Sequence, residues 1–349
     1  MSLDKMMGWF SVDMGIDLGT CNTLVCVRGE GIVLNEPSVV AVRKGTNQVL
    51  MNGTAVGFAA KEMLGRTPGS IQAIRPLKDG VISDFEITEA MLKYFIQKVM
   101  GRSRIFGPRV VISIPSGITA VEKRAVLDSA ERAGARKVYL LEEPMAAAMG
   151  AKLPFDDAVA SMVVDIGGGT TEVAVLSLGG TVLSESVRVA GDEISDSIGV
   201  HLKKVHNLVV GERTAEDIKI RIGSAFPDNE FDQTVMDVRG LHLLSGLPRT
   251  IQLQAGDLRE AIAEPLNVIV EAVKRTLERT PPELAADIVD RGVMLTGGGA
   301  LLHDMDLALR EQTGLAVSVA EESLNCVALG TGRALEYEDQ LRHAIDYDS

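Results

Sequence analysis

The chain has 349 residues and a net charge of −13, from 35 basic and 48 acidic side chains. This length suits two domains. The chain is 46% apolar and 24% charged, a composition that excludes a disordered chain. No apolar run reaches about 18 residues, which argues against a membrane span. No long basic stretch occurs, which argues against nucleic acid as the main partner. The N-terminus has no signal-peptide pattern, which argues against secretion. The three cysteines, Cys21, Cys26 and Cys326, form no CxxC pair, so we expect small buried residues in a reducing cytoplasm rather than metal ligands.

Two short apolar segments are candidates for membrane contact. In the first, predicted over residues 1–12, apolar side chains lie at helical spacing: Leu3, Met6, Met7 and Phe10, with Trp9 at the edge. A disordered start, or residues left from cloning, would explain the same segment. In the second, GRSRIFGPR, Ile105 and Phe106 either enter the interface beside anionic lipid or pack on the core.

An internal duplication is the most informative pattern in the chain. Residues 15–27 (GIDLGTCNTLVCV) align without a gap on residues 163–175 (VVDIGGGTTEVAV), at an offset of 148 (165 − 17). Asp17 falls on Asp165, and Gly19 falls on Gly167. Each copy predicts a strand, an Asp-x-Gly turn and a second strand, with an acid and free backbone amides at the hairpin tip.

The remainder of each unit recurs in the same order. A third strand is expected at 31–42 in the first half and at 181–189 in the second. The first half then predicts a strand at 109–114, a helix capped by Thr119 and Glu122 and ended by Gly134, a strand at 137–141 and a helix after Glu143-Pro144. The second half predicts a strand at 293–296, a helix at 300–313, a strand at 315–319 and a helix from Ser323.

This order predicts an α/β fold of two duplicated, mixed five-stranded sheets flanked by helices, with a ligand cleft between them. Domain I comprises 13–149 and 322–349, with a small subdomain at about 37–79. Domain II comprises 150–321, with a subdomain at about 184–250 that contains helices at 192–207 and near 214–224.

Two acid-tipped turns that face one cleft suit a polyphosphate. Backbone amides at glycine turns can approach phosphate oxygens closely. Asp17 and Asp165 alone would repel phosphate, but not if a Mg²⁺ ion, bound mostly through its waters, lay between the carboxylates and the phosphates. A single Asp-x-Gly motif would indicate no more than a turn, but two in-register copies favour a phosphate-binding site. The run LTGGGALL (295–302) adds a third glycine turn at a helix N-terminus, and its position near the chain end does not fit a Rossmann unit.

Three further groups leave their roles open. Glu143, held rigidly before Pro144, either orients or deprotonates a water or complements the helix dipole. Glu212, Glu216 and Lys219 in GERTAEDIK either meet near a ribose or adenine or form a solvated helix face. The five histidines are scattered without metal-like spacing or a Ser/Asp partner, so no role is assigned to them: His201, His206, His242, His303 and His343.

Eight segments together resemble MreB, the family of bacterial actin homologues within the actin/Hsp70/hexokinase superfamily. They are DLGTCNT, DGVISDFE, IPSGITAVEKRA, EEPMAAA, DIGGGTTEVAV, GERTAEDIK, TPPELAADI and LTGGGALL, and they run in order from about residue 13 to 336. The resemblance implies an actin-like (ribonuclease H-like) fold, ATP and Mg²⁺ as ligands, and weak ATPase activity coupled to polymerisation. It also implies double protofilaments on the inner face of the cell membrane, acting with cell-wall synthesis proteins to determine rod shape.

The resemblance also assigns residues. Glu143 and Thr170 match the pair that positions the hydrolytic water, beside Asp165. The nucleotide contacts it implies are Asp17, Gly19, Thr20, Cys21, Asn22, Asp165, Gly167, Gly168, Gly169, Thr170, Glu212, Glu216, Asp217, Ile218, Lys219, Gly297, Gly298, Gly299, Ala300 and Leu301. Cys21 departs from the alanine usual in the family and adds a thiol near phosphate.

Three other functions are compatible with parts of this pattern. A small-molecule kinase of the superfamily would need an acceptor pocket and a further acid, and no such motif stands out. An Hsp70-type chaperone would need a substrate-binding domain after the core. A plasmid- or organelle-positioning filament shares the core motifs, and TPPELAADI and EEPMAAA favour the MreB family over it.

Overall fold

The computed structural model describes residues 12–101, 107–337 and 345–346. Its strands, in chain order, are β1 Met14–Leu18, β2 Asn22–Val27, β3 Gly31–Pro37, β4 Val40–Arg43, β5 Ile71–Ile74, β6 Leu77–Lys78, β7 Val81–Ile82, β8 Arg109–Ile114, β9 Lys137–Glu142, β10 Ser161–Ile166, β11 Thr171–Ser177, β12 Gly180–Val187, β13 Leu208–Val209, β14 Val235–His242, β15 Pro248–Gln254, β16 Val293–Thr296, β17 Val317–Val319 and β18 Ile345–Asp346. Its helices are α1 Leu50–Gly53, α2 Phe58–Lys61, α3 Phe85–Met100, α4 Ala120–Arg132, α5 Glu143–Gly150, α6 Gly191–His206, α7 Glu212–Ile222, α8 Leu258–Arg279, α9 Pro282–Arg291, α10 Met305–Thr313 and α11 Cys326–Ala334.

The two main sheets repeat one topology. In the first, the strand order is β18-β9-β8-β1-β2-β3, and in the second it is β12-β11-β10-β16-β17. In both, the acid-bearing strand is antiparallel to the strand after it and parallel to a later one. The registers match as well, because Asp17 pairs with Leu24 and Asp165 with Glu172, again 148 residues apart (165 − 17; 172 − 24). The predicted pair of mixed sheets is therefore present, with the short β18 added to the first.

Each sheet has a core on either face, because successive side chains of its central strands point to opposite faces and nearly all of them are buried. Met14 and Ile16 of β1 pack with helices α3 and α4, whereas Val164 and Ile166 of β10 pack with α6 and α8. A third core lies between the sheets. It is built from alanines and methionines of α5, from α11 and from the opposite strand faces, such as Val111 and Val163.

Two glycines let α5 and α11 cross in backbone contact. A Cβ at Gly330 would overlap the carbonyl oxygen of Ala146, and a Cβ at Gly150 would overlap that of Cys326. Residues from late in the chain therefore complete the core around α5, which begins at Glu143.

Local signals explain the helix starts that matter for the site. Thr119 accepts a hydrogen bond from Glu122 N at 3.2 Å, and Glu122 Oε2 accepts one from Thr119 N at 2.8 Å, which confirms the predicted capping box. Pro144 occupies the first turn of α5, where its missing N–H costs nothing.

Some predicted boundaries were wrong. The single strand expected at 31–42 is two, β3 and β4, which belong to different sheets. The helix expected at 300–313 is a 3₁₀ turn at Gly299–Leu301 followed by α10, because Asp304 adopts a left-handed conformation with φ 57°. The predicted domain boundaries stay a prediction.

Both predicted membrane segments, with Leu3, Met6, Met7, Trp9, Phe10, Ile105 and Phe106, lie outside the described residues. Within residues 12–101 and 107–337, no helix combines the length and apolar character needed to cross a bilayer.

Candidate functional site

A cavity of about 370 Å³ lies between the two main sheets. Residues of both halves line it, and most of the residues singled out from the sequence are among them. These are Asp17, Gly19, Thr20, Cys21, Asn22, Glu143, Asp165, Gly167, Gly168, Gly169, Thr170, Glu216, Lys219, Gly297, Gly298, Gly299 and Leu301. The apolar part of the wall was not predicted and includes Leu24, Ile194, Ile220, Leu302, Leu324 and Val327.

Asp17 and Asp165 reach the cavity from the ends of β1 and β10. Ser113 Oγ donates to Asp17 Oδ1 at 3.4 Å, and Thr296 Oγ1 donates to Asp165 Oδ1 at 2.7 Å. Burial raises the pKa of Asp17 to about 7, with the charge of Asp165 adding to the rise and the Ser113 hydrogen bond opposing it. Burial likewise raises the pKa of Asp165 to about 6 against the Thr296 hydrogen bond. No cation of the described residues is among the causes of either shift, so the two carboxyls lack a directly neutralising partner.

Two glutamates extend this acidic group. Burial, then the charges of Glu172, Asp165 and Asp17, raise the pKa of Glu143 well above its ordinary value. Burial raises the pKa of Glu172 to about 7, although Glu172 accepts hydrogen bonds from Ser186 Oγ at 2.5 Å and Ser116 N at 3.0 Å. Glu172 was missed from the sequence because it stands within a strand, and only its register opposite Asp165 shows its position.

Glycines let the two hairpin tips approach each other closely. A Cβ at Gly168 would overlap Cys21 Sγ, and one at Gly169 would lie 2.8 Å from Thr20 Oγ1. Gly297 has φ +81°, and a Cβ there would overlap Ile166 O. A side chain at any of these positions would collide with atoms of a neighbouring segment, so glycine is required for this close approach.

Helix α7 forms one wall of the cavity. Glu216, Lys219 and Ile220 line it, and Lys219 Nζ donates to Gly191 O at 2.6 Å. Four residues that the resemblance assigned are not brought into the lining. Ile218 and Ala300 are buried in the core of the second half, Asp217 pairs with Arg221 at 3.6 Å, and Glu212 lies at the mouth against Arg75. Helical periodicity explains this, since Asp217 and Ile218 point away from the face shared by Glu216 and Lys219.

The environment of Cys21 differs from the apolar one expected. Its Sγ donates to Asp192 Oδ1 at 3.3 Å and lies 3.8 Å from Arg75 Nη1. Burial, then the charge of Asp192, raise the pKa of Cys21 to about 12, so the thiol stays protonated beside the glycine turns. Cys26 and Cys326 are buried, as predicted.

Arg75 was not singled out from the sequence. Its guanidinium contacts Asp192 Oδ2 at 3.3 Å and Glu212 Oε1 at 2.5 Å, and so joins the first half to α6 and α7. Lys61 and Glu216 make a second such pair at 3.8 Å. No local motif marks these ion pairs, because Asp192 and Glu212 both lie more than 100 residues after Arg75.

Duplicated sheets that present paired acids and glycine turns to one cavity define an actin-like protein. Solved structures support this class. MreB5 of Spiroplasma citri, in a crystal structure bound to ADP, has a TM-score of 0.88 and 35% identity, over 95% of this chain and 98% of that chain. A second crystal structure of that protein is bound to AMPPNP. The family model for MreB/Mbl protein matches residues 11–343, and the chain belongs to that family.

Curated relatives agree with the family model. The cell shape-determining protein MreB of Escherichia coli (strain K12) is 54% identical over 338 residues, which cover 97% of both proteins. The cell shape-determining protein Mbl of Bacillus subtilis (strain 168) is 52% identical over 332 residues, covering 95% of this chain and 98% of the relative. These matches confirm the resemblance and the actin-like fold class predicted from the sequence.

Proposed function

We propose that the protein binds ATP with Mg²⁺ in the cavity between its sheets and polymerises into actin-like filaments that help to determine cell shape. The observation that carries this proposal is the matched pair of aspartates, Asp17 and Asp165, at glycine turns that face one cavity. The ADP and AMPPNP of MreB5, and the cell-shape role in the names of the curated relatives, support it.

The acidic group fits a divalent cation. Asp17 and Asp165 are buried carboxyls with raised pKa values, and a cation between them would remove their mutual repulsion. They would hold Mg²⁺ mostly through its waters, and the ion would neutralise charge on the phosphates. The glycine turns Gly167–Gly169 and Gly297–Gly299 supply the close backbone approach that a triphosphate needs.

For hydrolysis, Glu143 and Thr170 are the residues that would hold the attacking water. Both are buried at the cavity wall, and Pro144 fixes the backbone of Glu143 at the start of α5. In its ionised form the Glu143 carboxylate could accept a proton from that water as a general base, and its raised pKa makes it a stronger base than an exposed glutamate. We propose that this gives the weak ATPase activity, coupled to polymerisation, that the family resemblance implies.

Sedimentation and electron microscopy with ATP·Mg²⁺ test the proposal. The wild-type chain should bind ATP and form filaments. Glu143→Ala should bind ATP and keep its filaments, but release phosphate about 10²–10⁴ times more slowly. Normal phosphate release by Glu143→Ala would remove Glu143 from its role, and failure of the wild type to bind ATP would refute the function itself.

We also propose that filaments attach peripherally to the inner face of the cell membrane through residues 1–12 and the Ile105-Phe106 pair. A few apolar side chains contribute at most about 1.5–3 kcal/mol each, before ordering costs, so one copy should bind weakly. A filament presents many copies, and avidity can raise binding about 10²–10⁴-fold. If a non-polymerising variant co-sediments with liposomes as well as the wild type does, polymerisation does not commit the protein to the membrane.

A further inference from the structure

Three side chains with metal-ligating atoms meet behind the α7 wall of the cavity. Asp228 lies in the loop after α7, and His303 and Asp304 precede α10. His303 Nε2 lies 3.4 Å from Asp228 Oδ2 and 3.3 Å from Asp304 Oδ2, and the three atoms all lie within 4.8 Å of one another. Neither partner of His303 could be recognised from sequence spacing, because Asp304 is the next residue and Asp228 lies 75 residues away.

The loop geometry fixes each of these groups. Asp228 Oδ1 accepts hydrogen bonds from Glu230 N at 2.9 Å and Phe231 N at 3.1 Å, which leaves Oδ2 facing the histidine. The Phe231 ring stacks on the His303 ring with centroids 3.7 Å apart, and Ala225 N donates to His303 O at 2.8 Å. The ligand atoms are therefore held before any ion arrives, which lowers the cost of binding one.

The distances do not fit strong hydrogen bonds. A charge-assisted bond from a histidine to a carboxylate is about 2.7–2.9 Å long. The contact with Asp228 is at most a weak hydrogen bond. Neighbouring ligand atoms around a tetrahedral ion held at about 2.0–2.1 Å are about 3.3 Å apart, so one ion fits between these atoms, whose third separation is no more than 4.8 Å.

Asp304 provides an independent observation. Its Oδ2 is shielded from solvent and accepts no hydrogen bond from the described part of the chain. Asp304 also adopts the left-handed conformation, at φ 57°, which an aspartate tolerates but does not favour. A buried carboxylate oxygen without a donor is costly unless a ligand satisfies it.

We propose that Asp228, His303 and Asp304 form a binding site for one divalent transition-metal ion, with Zn²⁺ as the best fit. One imidazole nitrogen and two carboxylate oxygens suit Zn²⁺ better than Mg²⁺, which prefers oxygen ligands alone. His303 and Asp228 keep more than a third of their side-chain surface exposed, so water can take the fourth position. The ion ties the loop after α7 to the segment that carries Leu301 and Leu302, two residues of the cavity wall.

Metal titration of the full-length chain tests the site directly. Nucleotide is left out and Mg²⁺ is in excess, so that the acids of the cavity do not bind the probe. Co²⁺ alone, followed by its visible absorption and by competition with Zn²⁺, should report one tetrahedral site without a thiolate charge-transfer band. His303→Gln and Asp304→Asn should each weaken Zn²⁺ binding at least about 10-fold, the lower end of the loss caused by removing an outer-shell partner.

The matched control is a His201→Gln/His206→Gln double variant, because those two rings lie 6.2 Å apart on α6 and could bind metal adventitiously. This control should bind one ion with wild-type affinity. The proposal is overturned if the control loses binding, or if His303→Gln binds as the wild type does. If His303→Gln folds poorly, X-ray absorption spectroscopy of the Zn²⁺-loaded wild type tests the site instead. A sulfur ligand, or the absence of an imidazole ligand, would contradict it. ATP binding is measured separately, so neither result depends on the proposed function.

Discussion

Arg75 Nη1 lies 3.3 Å from Asp192 Oδ2, and this contact joins the two halves of the protein at the mouth of the cavity. Only about a fifth of the Arg75 side chain is exposed, so these charges are less screened than those of a surface pair. The Asp192 carboxylate also accepts a hydrogen bond from the Cys21 thiol, and Asp192 N donates to Gly168 O at 2.8 Å. The ion pair therefore holds the two halves together at the place where Asp192 contacts both glycine turns.

Replacing Arg75 should loosen this closure. Arg75→Ala removes contacts to both Asp192 and Glu212, and charged hydrogen bonds contribute about 1.5–3 kcal/mol each. We expect ATP affinity to fall about 10-fold and the radius of gyration in X-ray scattering to rise. Arg221→Ala, whose partner Asp217 lies on the same helix, is the control and should change neither. Wild-type affinity in Arg75→Ala would show that the contact does not hold the halves together.

Gly168→Ala should weaken nucleotide binding by forcing the hairpin tips apart. Its Cβ would overlap Cys21 Sγ, and we expect a loss of about 10-fold in ATP affinity by isothermal titration. Adding Cys21→Ala removes the overlapping sulfur and should restore part of the affinity. Gly199→Ala is the control, because no atom lies within 4 Å of a Cβ there. Equal affinities for the Gly168 and Gly199 variants would contradict the close approach.

The raised carboxyl pKa values predict an inverted pH dependence of stability. Asp17 and Asp165, with pKa values of about 7 and about 6 against 3.8 ordinarily, bind more protons in the folded state than in the unfolded state. Without Mg²⁺ and nucleotide, the contribution of these two carboxyls to the free energy of unfolding should therefore fall as pH rises from about 4 to about 7. Their contribution is fully present only below about pH 4.

Asp165→Asn should reduce this slope and stabilise the ligand-free protein at pH 8 by about 1–3 kcal/mol. Urea unfolding at several pH values measures both effects, and the exposed Asp217→Asn is the control. A slope as steep in Asp165→Asn as in the wild type would show that this carboxyl is not the source. Mg²⁺ with ATP should flatten the wild-type profile, because the cation neutralises the same acids.

Gly330→Ala tests the crossing of α5 and α11. The added Cβ would overlap the backbone oxygen of Ala146, which cannot rotate away as a side chain can. We expect the free energy of unfolding to drop by about 3 kcal/mol or more in denaturant unfolding. Gly199→Ala should leave stability unchanged or raise it slightly, since alanine favours a helix. A small effect at Gly330 would mean that the helices can separate at little cost.

The sequence predicted what depends on local pattern and repetition. The alignment of Asp17 with Asp165 predicted both the pair of mixed sheets and the cleft between them, because a repeated motif implies a repeated fold. The spacing of Glu216 and Lys219 placed both on one helix face, whereas Asp217 and Ile218, taken from the family resemblance, fall on other faces.

Contacts between distant segments could not be predicted in this way. Arg75 and Asp192 are 117 residues apart, and nothing near either residue signals the other. Glu172 has no motif of its own, and its position follows only from the strand register with Asp165. His303 lacked metal-like spacing, because its two carboxylate partners come from a neighbouring position and from a remote loop.

The crossing of α5 and α11 has a consequence for how the protein is made. A Cβ at Gly15 of β1 would lie 2.5 Å from the carbonyl carbon of Thr331, so the first strand already needs the last described helix as its neighbour. Translation delivers α11 only after some three hundred residues have left the ribosome. During synthesis, the apolar surface of the early half that packs on α11 therefore stays uncovered until this late helix has been made.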